Sequence, residues 1–263
     1  MKVLNRLATS KLALAGLVAG VMLGACDGSA GTGEQSYIER AVQYRAEGKL
    51  AAAVIELKNA VQQNPESAEA RLLLGELYLQ AGDPVSAEKE LRRARDLGAD
   101  PAEAGVPLMQ AWIAVGKNTD VLHELDKPEV QAALDPVDRS NLRGQAYLAL
   151  GRTADARTEF ETSIRQEPNE QAFSSLAWIA IIDGRLERAE HYLAEGQAIA
   201  PDSPNLAMVE GELDLYRDDY EAAEGEFRRL VEDNPKNYRA LFGLARAQIG
   251  GGDTKDAIGI LDG

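Results

Sequence analysis

Small, apolar and turn-forming positions return along this chain at intervals of about 34 residues. Within each interval, apolar residues fall at i, i+3, i+4 and i+7 in two separate stretches, which predicts two amphipathic helices per interval. On the first stretch a small residue recurs at Ala41, Gly75, Gly144, Ala177, Gly211 and Ala245. On the second, a small residue (Ala53, Ala87, Ala156, Ala189, Ala223, Ala257) precedes by four a large apolar one (Leu57, Leu91, Phe160, Leu193, Phe227, Leu261). Between the two stretches stands Gly48, Gly82, Gly116, Gly151, Gly184 or Gly252, with Asp218 filling the remaining beat. These residue types tolerate the left-handed backbone of a tight turn. Prolines at 65, 101, 136, 168, 201 and 235 punctuate successive intervals, where proline ends one helix and opens the next. No alternating pattern of β type persists for more than a few residues.

One helical hairpin cannot bury its apolar face alone, so the repeat predicts a stacked array. The quoted positions resemble the tetratricopeptide repeat (TPR), as in Leu74-Gly75…Tyr78…Gly82…Ala87…Leu91…Ala94. The resemblance implies an all-α, right-handed superhelical solenoid of helix–turn–helix units. About seven are expected, starting near residues 34, 68, 102, 137, 170, 204 and 238, the last incomplete. The third unit departs from the pattern. Pro107 falls within its first helix, Val121 replaces the small residue, and Pro128 follows Leu125 too closely for a full second helix. Glu129–Leu134 is expected as a separate short helix. Two accounts stay open here: drift in one repeat, or a bend that sets groove curvature. Leu261-Asp262-Gly263 falls inside the last second helix, so a longer solenoid is expected.

Charge and the N-terminus narrow the partners. The 263-residue chain carries 28 basic and 43 acidic residues, a formal net charge of −15. Such a chain repels phosphate backbones, which argues against nucleic acid. Residues 1–25 combine Lys2, Arg6 and Lys11 with an apolar run from Leu12 to Leu23, the layout of an export signal. The run ends Leu23-Gly24-Ala25-Cys26, which resembles the lipobox of bacterial lipoproteins. By that resemblance Cys26, the single cysteine, is cleaved before and acylated (palmitate or a related chain), anchoring the exported chain to a membrane that faces the periplasm. Asp27 resembles an inner-membrane retention signal, and residues 26–33 are expected to form a flexible tether.

Candidate chemistry is sparse. His123 and His191 are the two histidines, and neither has a second ligand at metal-binding spacing. Gly250-Gly251-Gly252-Asp253-Thr254-Lys255 lacks the spacing of a phosphate loop and falls on an expected turn. No catalytic residue, cofactor site or metal site is assigned, and no enzyme activity is expected from the described repeats.

TPR resemblance implies that first helices line a concave groove that takes protein or peptide partners. The expected groove residues are Trp178, Tyr216, Phe242, Leu79, Gln110, Asn141, Gln145, Ile181 and Met208, within a wider set on every first helix that also holds Ile38, Val42, Leu72, Val106, Ile113, Leu148, Leu215, Ile249, Gln80, Gln171, Asn205, Arg45, Arg239 and Arg246. An apolar groove flecked with amides suits an extended or helical peptide. A lipobox followed by many such units resembles the TPR lipoproteins of PEP-CTERM/exosortase systems, which implies a role in exopolysaccharide production and protein export. TPR lipoproteins of pilus, outer-membrane-protein or polysaccharide-export assembly form the alternative, and an enzyme carrying TPR units forms a third class.

Overall fold

A computed structural model of the chain describes residues 33–254 and Ala257. Cys26 and the expected signal and most of the tether lie outside the described residues. Among the described residues there are fourteen helices and no strand. Six units supply their helices in sequence: α1 (Glu34–Ala46) and α2 (Leu50–Gln63); α3 (Ala68–Gln80) and α4 (Pro84–Asp96); α5 (Pro101–Ala114) and α6 (Asn118–Leu125), followed by the short α7 (Pro128–Ala133); α8 (Pro136–Ala149) and α9 (Thr153–Gln166); α10 (Glu170–Ile182) and α11 (Leu186–Ile199); α12 (Pro204–Tyr216) and α13 (Tyr220–Asp233). The seventh opens with α14 (Tyr238–Gly251).

Local chemistry explains each boundary. Proline occupies the first turn of α4, α5, α7, α8 and α12, where its missing N–H costs no helix hydrogen bond. Ser67, Asp83, Asp100, Asp135, Asn169, Ser203, Asp219 and Asn237 each accept a hydrogen bond from a backbone N–H of the first turn. Each such cap contributes about 1 kcal/mol. The hairpin turns use left-handed backbone, and Asp218 takes φ 59° where its sister units place glycine. Gly98, between α4 and α5, adds a further left-handed position that the repeat pattern did not single out.

Packing within a unit depends on a small residue facing a large one. A Cβ added at Gly75 would sit 2.4 Å from Leu91 Cγ, and one at Gly144 would sit 2.7 Å from Phe160 Cε1. Gly211 and Gly243 approach Phe227 from two sides in the same way. Leu91, Phe160 and Phe227 are fully buried as a result, each contributing roughly 1.5–3 kcal/mol by leaving water.

Successive units share a continuous apolar core. First helices pack on the first helix of the next unit, α3 on α5, α5 on α8, α10 on α12 and α12 on α14. Among the described residues no comparable packing joins successive second helices. First helices therefore form the closer-spaced inner layer, and the described array curves toward them. The third unit differs. Pro107 lies inside α5 without ending it, α6 is two turns long, and α7 folds back on α5. Leu134, just past α7, is buried against Gly105 of α5. The glycine-rich segment at 250–252 is a packing device: Gly250 lies under the Tyr220 ring, and Gly252 closes α14 with φ 98°.

The glycine contacts make opposite predictions for two helical sites. Gly144→Ala forces its methyl into the Phe160 ring and should lower stability in urea unfolding by about 1–3 kcal/mol. Gly225→Ala, with nothing within 4 Å of the new methyl, should raise it by about 0.5–1 kcal/mol.

Candidate partner-binding groove

The inner layer holds a cavity of about 360 Å³ that spans four consecutive first helices. Gln145 and Leu148 come from α8, Gln171, Ser174, Ser175 and Trp178 from α10. Asn205, Met208, Val209 and Glu212 come from α12, and Arg239 from the start of α14. Positions three and four apart share a helix face, so each helix offers one column of side chains to the same hollow.

The wall is apolar at its centre and polar between helices. Trp178 is half-buried, and Met208 and Val209 are buried. The side-chain amides of Gln145, Gln171 and Asn205 have no hydrogen-bond partner among the described residues. Ser174 and Ser175 donate to the Gln171 carbonyl at 3.0 and 2.8 Å, which leaves their lone pairs free to accept. Glu212 is held by the Arg246 guanidinium through two bonds of 3.0 and 2.9 Å. Arg239 has no carboxylate within 4 Å among the described residues, so it is the unpaired charge of the hollow.

The expected groove residues separate into three groups. Gln145, Trp178 and Met208 line the cavity together, with Leu148, Gln171, Asn205 and Arg239. Tyr216 and Phe242 are exposed but stand outside its lining, and Phe242 lies 5.8 Å beneath the Arg246 guanidinium. Leu79 packs partly buried on the core of the second to fourth units, and Gln110 is exposed on α5, away from the cavity. Two residues are core instead of groove. Ile181 is fully buried in the cluster of α10 and α11, and the outward position belongs to Ile182. Asn141 is buried because its amide donates to Asn169 Oδ1 at 3.1 Å, and Asn169 in turn caps α10 and bonds Ser163. Ser174, Ser175, Val209 and Glu212 were not anticipated. Their spacing from Trp178 and Met208 was the available sign, since they lie one helical turn away or directly adjacent on the same face.

The opposite face of α12 carries a different electrostatic load. Burial, then Glu226 and Asp214 nearby, push the Glu210 carboxyl above its ordinary range. Burial, then Asp219, do the same for Asp214. Gln197 of α11 donates to Glu210 at 2.7 Å, and Arg229 of α13 is occupied by Glu226 at 3.0 Å. The ionised pair therefore sits in the helix interface with little compensation.

Residues 44–106 match the tetratricopeptide repeat, as do residues 141–204 and 208–263. The interval left between them contains most of the irregular third unit. Over 192 residues the chain is 31% identical to "Cellulose synthase operon protein C" of Xanthomonas axonopodis pv. citri (strain 306), covering 70% of this chain and 12% of that protein. Over 210 residues it is 23% identical to "DnaJ homolog subfamily C member 3" of Gallus gallus, covering 69% of this chain and 39% of that one. The chain thus spans well under half the length of these curated relatives. Among solved structures, PilW, described as a widely conserved type IV pilus biogenesis factor, superposes with a TM-score of 0.57. That match covers 80% of this chain and 98% of PilW at 17% identity, a likeness of fold alone.

Glu210 gives a pH test with a defined sign. Its raised folded-state value means that folding costs free energy once the carboxyl is ionised, and costs nothing below the ordinary carboxylate range, where both states are protonated. Glu210→Gln should therefore stabilise the fold at pH 7, by on the order of 0.5 kcal/mol as for like-charge helix pairs. The gain should vanish in chemical unfolding at pH 3.

Proposed function

The chain belongs to the tetratricopeptide repeat family, and we propose that it is a scaffold whose inner groove holds an extended or helical segment of a protein partner. One observation carries this reading: unpaired amides on α8, α10 and α12 flank Trp178 and Met208 in a single hollow. Main-chain N–H and C=O groups of a partner find acceptors and donors there, while its apolar side chains find the indole and thioether. Arg239 adds a point of attraction for an acidic group. Nothing in this arrangement asks for a reacting atom, and the scaffold reading needs no catalytic group.

The setting we infer is the bacterial periplasm, with Cys26 acylated as the membrane anchor. The specific process we favour is exopolysaccharide production and protein export of the PEP-CTERM kind. Likeness over 192 residues to a protein named for a cellulose synthase operon supports the polysaccharide side of this reading. Pilus assembly is the alternative, and its support is the shared fold of PilW.

Photo-crosslinking tests the groove. A photoreactive residue at Gln145 or Ser175 should give protein adducts in cells, whereas one at the exposed Glu195 of α11 should not. Trp178→Ala should cut the groove adducts about tenfold or more. Equal adducts from both faces, or none from the groove, would sink the reading. For the anchor, Cys26→Ser should move the chain from the membrane to the soluble fraction. An unmoved variant would exclude acylation at Cys26 as the tether.

A further inference from the structure

We propose that the groove holds its partner in one direction, with acidic side chains of the bound segment at Arg239 of α14 and basic ones at Asp138 of α8 and Glu103 of α5. This rests on the groove reading above and adds the charge pattern of the segment that fits it. The row of side chains that enters the hollow as Gln171, Asn205 and Arg239 continues back through the array. Its members on earlier first helices are Glu69 of α3, Glu103 of α5 and Asp138 of α8, at intervals of 33 to 35 residues. From the second unit to the seventh the row runs acid, acid, acid, amide, amide, base.

The charges on this row are uncompensated. Glu69, Glu103 and Asp138 have no cation within 4 Å among the described residues, and Arg239 has no carboxylate. Burial, then Asp135 nearby, push the Asp138 carboxyl above its ordinary range, as expected of a half-buried acid without a counter-charge. The other two arginines of the expected groove are paired across units, Arg45 with Glu76 at 2.8 Å and Arg246 with Glu212 at 2.9 Å. Those pairs neutralise one another. The field along the groove therefore comes from the row, negative over α3, α5 and α8 and positive at α14.

Helix chemistry accounts for the acids and not for the arginine. All four charged groups stand in the first turn of their helices, where the macrodipole favours a carboxylate and disfavours a cation. Arg239, the second residue of α14, stands against that preference, unpaired and on the cavity wall. Its fork of donors matches the carboxylate of an aspartate or glutamate side chain. Between the charged ends, Gln171 and Asn205 present free amides beside Trp178 and Met208, which suits an uncharged middle. Those amides need main-chain N–H and C=O groups that a helix has already used, so the segment is extended. Successive first helices about 9 Å apart place Asp138 about 27 Å from Arg239. An extended chain covers that span in about eight residues. A segment laid the other way would set its acids against Asp138 and its bases against Arg239.

Photo-crosslinking in cells tests the direction separately from the groove. With the photoreactive residue at Gln145, Arg239→Glu and Asp138→Lys should each lower the adducts at least about threefold. Glu195→Lys on exposed α11, equal to Asp138→Lys in charge change, should leave them unchanged. Phe242 on α14 and Gln110 on α5 are both exposed and serve as two further crosslinking positions. Mass spectrometry of their adducts should find acidic partner residues at the first and basic ones at the second. This mapping uses no charge variant, so it holds even where a reversal disturbs folding. Absence of any adduct from Gln145 would remove the groove reading itself. Adducts that form but survive both reversals undiminished would overturn the direction alone, as would partner peptides in the opposite charge order.

Discussion

Everything in this array rests on how closely two helices of one unit approach each other. Gly75, Gly144 and Gly211 lack the Cβ that would strike Leu91, Phe160 and Phe227. The large partner can then lie flat in the interface and vanish from water. Dispersion is short-ranged, so an extra ångström between helices would forfeit much of the contact energy of each pair. The position is glycine opposite Leu91, Phe160 and Phe227 and alanine at Ala41 and Ala177. Both choices keep the hairpin narrow enough for the next unit to stack on it.

Stacking then divides the surface into two kinds of ground. First helices pack on one another and leave the hollow around Trp178. Second helices do not, and their outward faces are free to carry charge. The hollow is poor in charge and rich in uncommitted amides, suited to a backbone. The outer side carries ion pairs that link neighbouring units, such as Lys117 with Glu88 and Arg217 with Glu190. Exposed pairs of this kind contribute little stability each.

The third unit shows how one irregular repeat changes both surfaces. A shortened α6 removes the packing that a second helix normally gives, and α7 with Leu134 supplies a substitute plug against Gly105. The core stays closed across the defect, with Val121 and Leu125 fully buried. Continuity of the array is kept while the outer face opens.

The helix pairs, their turns and the separate short helix after Pro128 are legible in the amino-acid order, because these depend on local backbone chemistry. Proline fixes φ, glycine and Asp218 admit a left-handed turn, and Ser, Asp or Asn caps the next helix. These rules act within a few residues and leave a visible mark in the chain. Which first-helix positions reach the groove depends on how the units pack against one another. Helical periodicity gives the angle between two side chains of one helix, and it says nothing of how the neighbouring unit is rotated against it. Asn141 and Ile181 share a nominal face with Gln145 and Trp178, yet the Asn169 loop roofs one and α11 covers the other. The same rotation gathered Ser175, Val209 and Glu212 into the hollow. It also drew Arg95 and Lys127, about thirty residues apart in the chain, to one carboxylate.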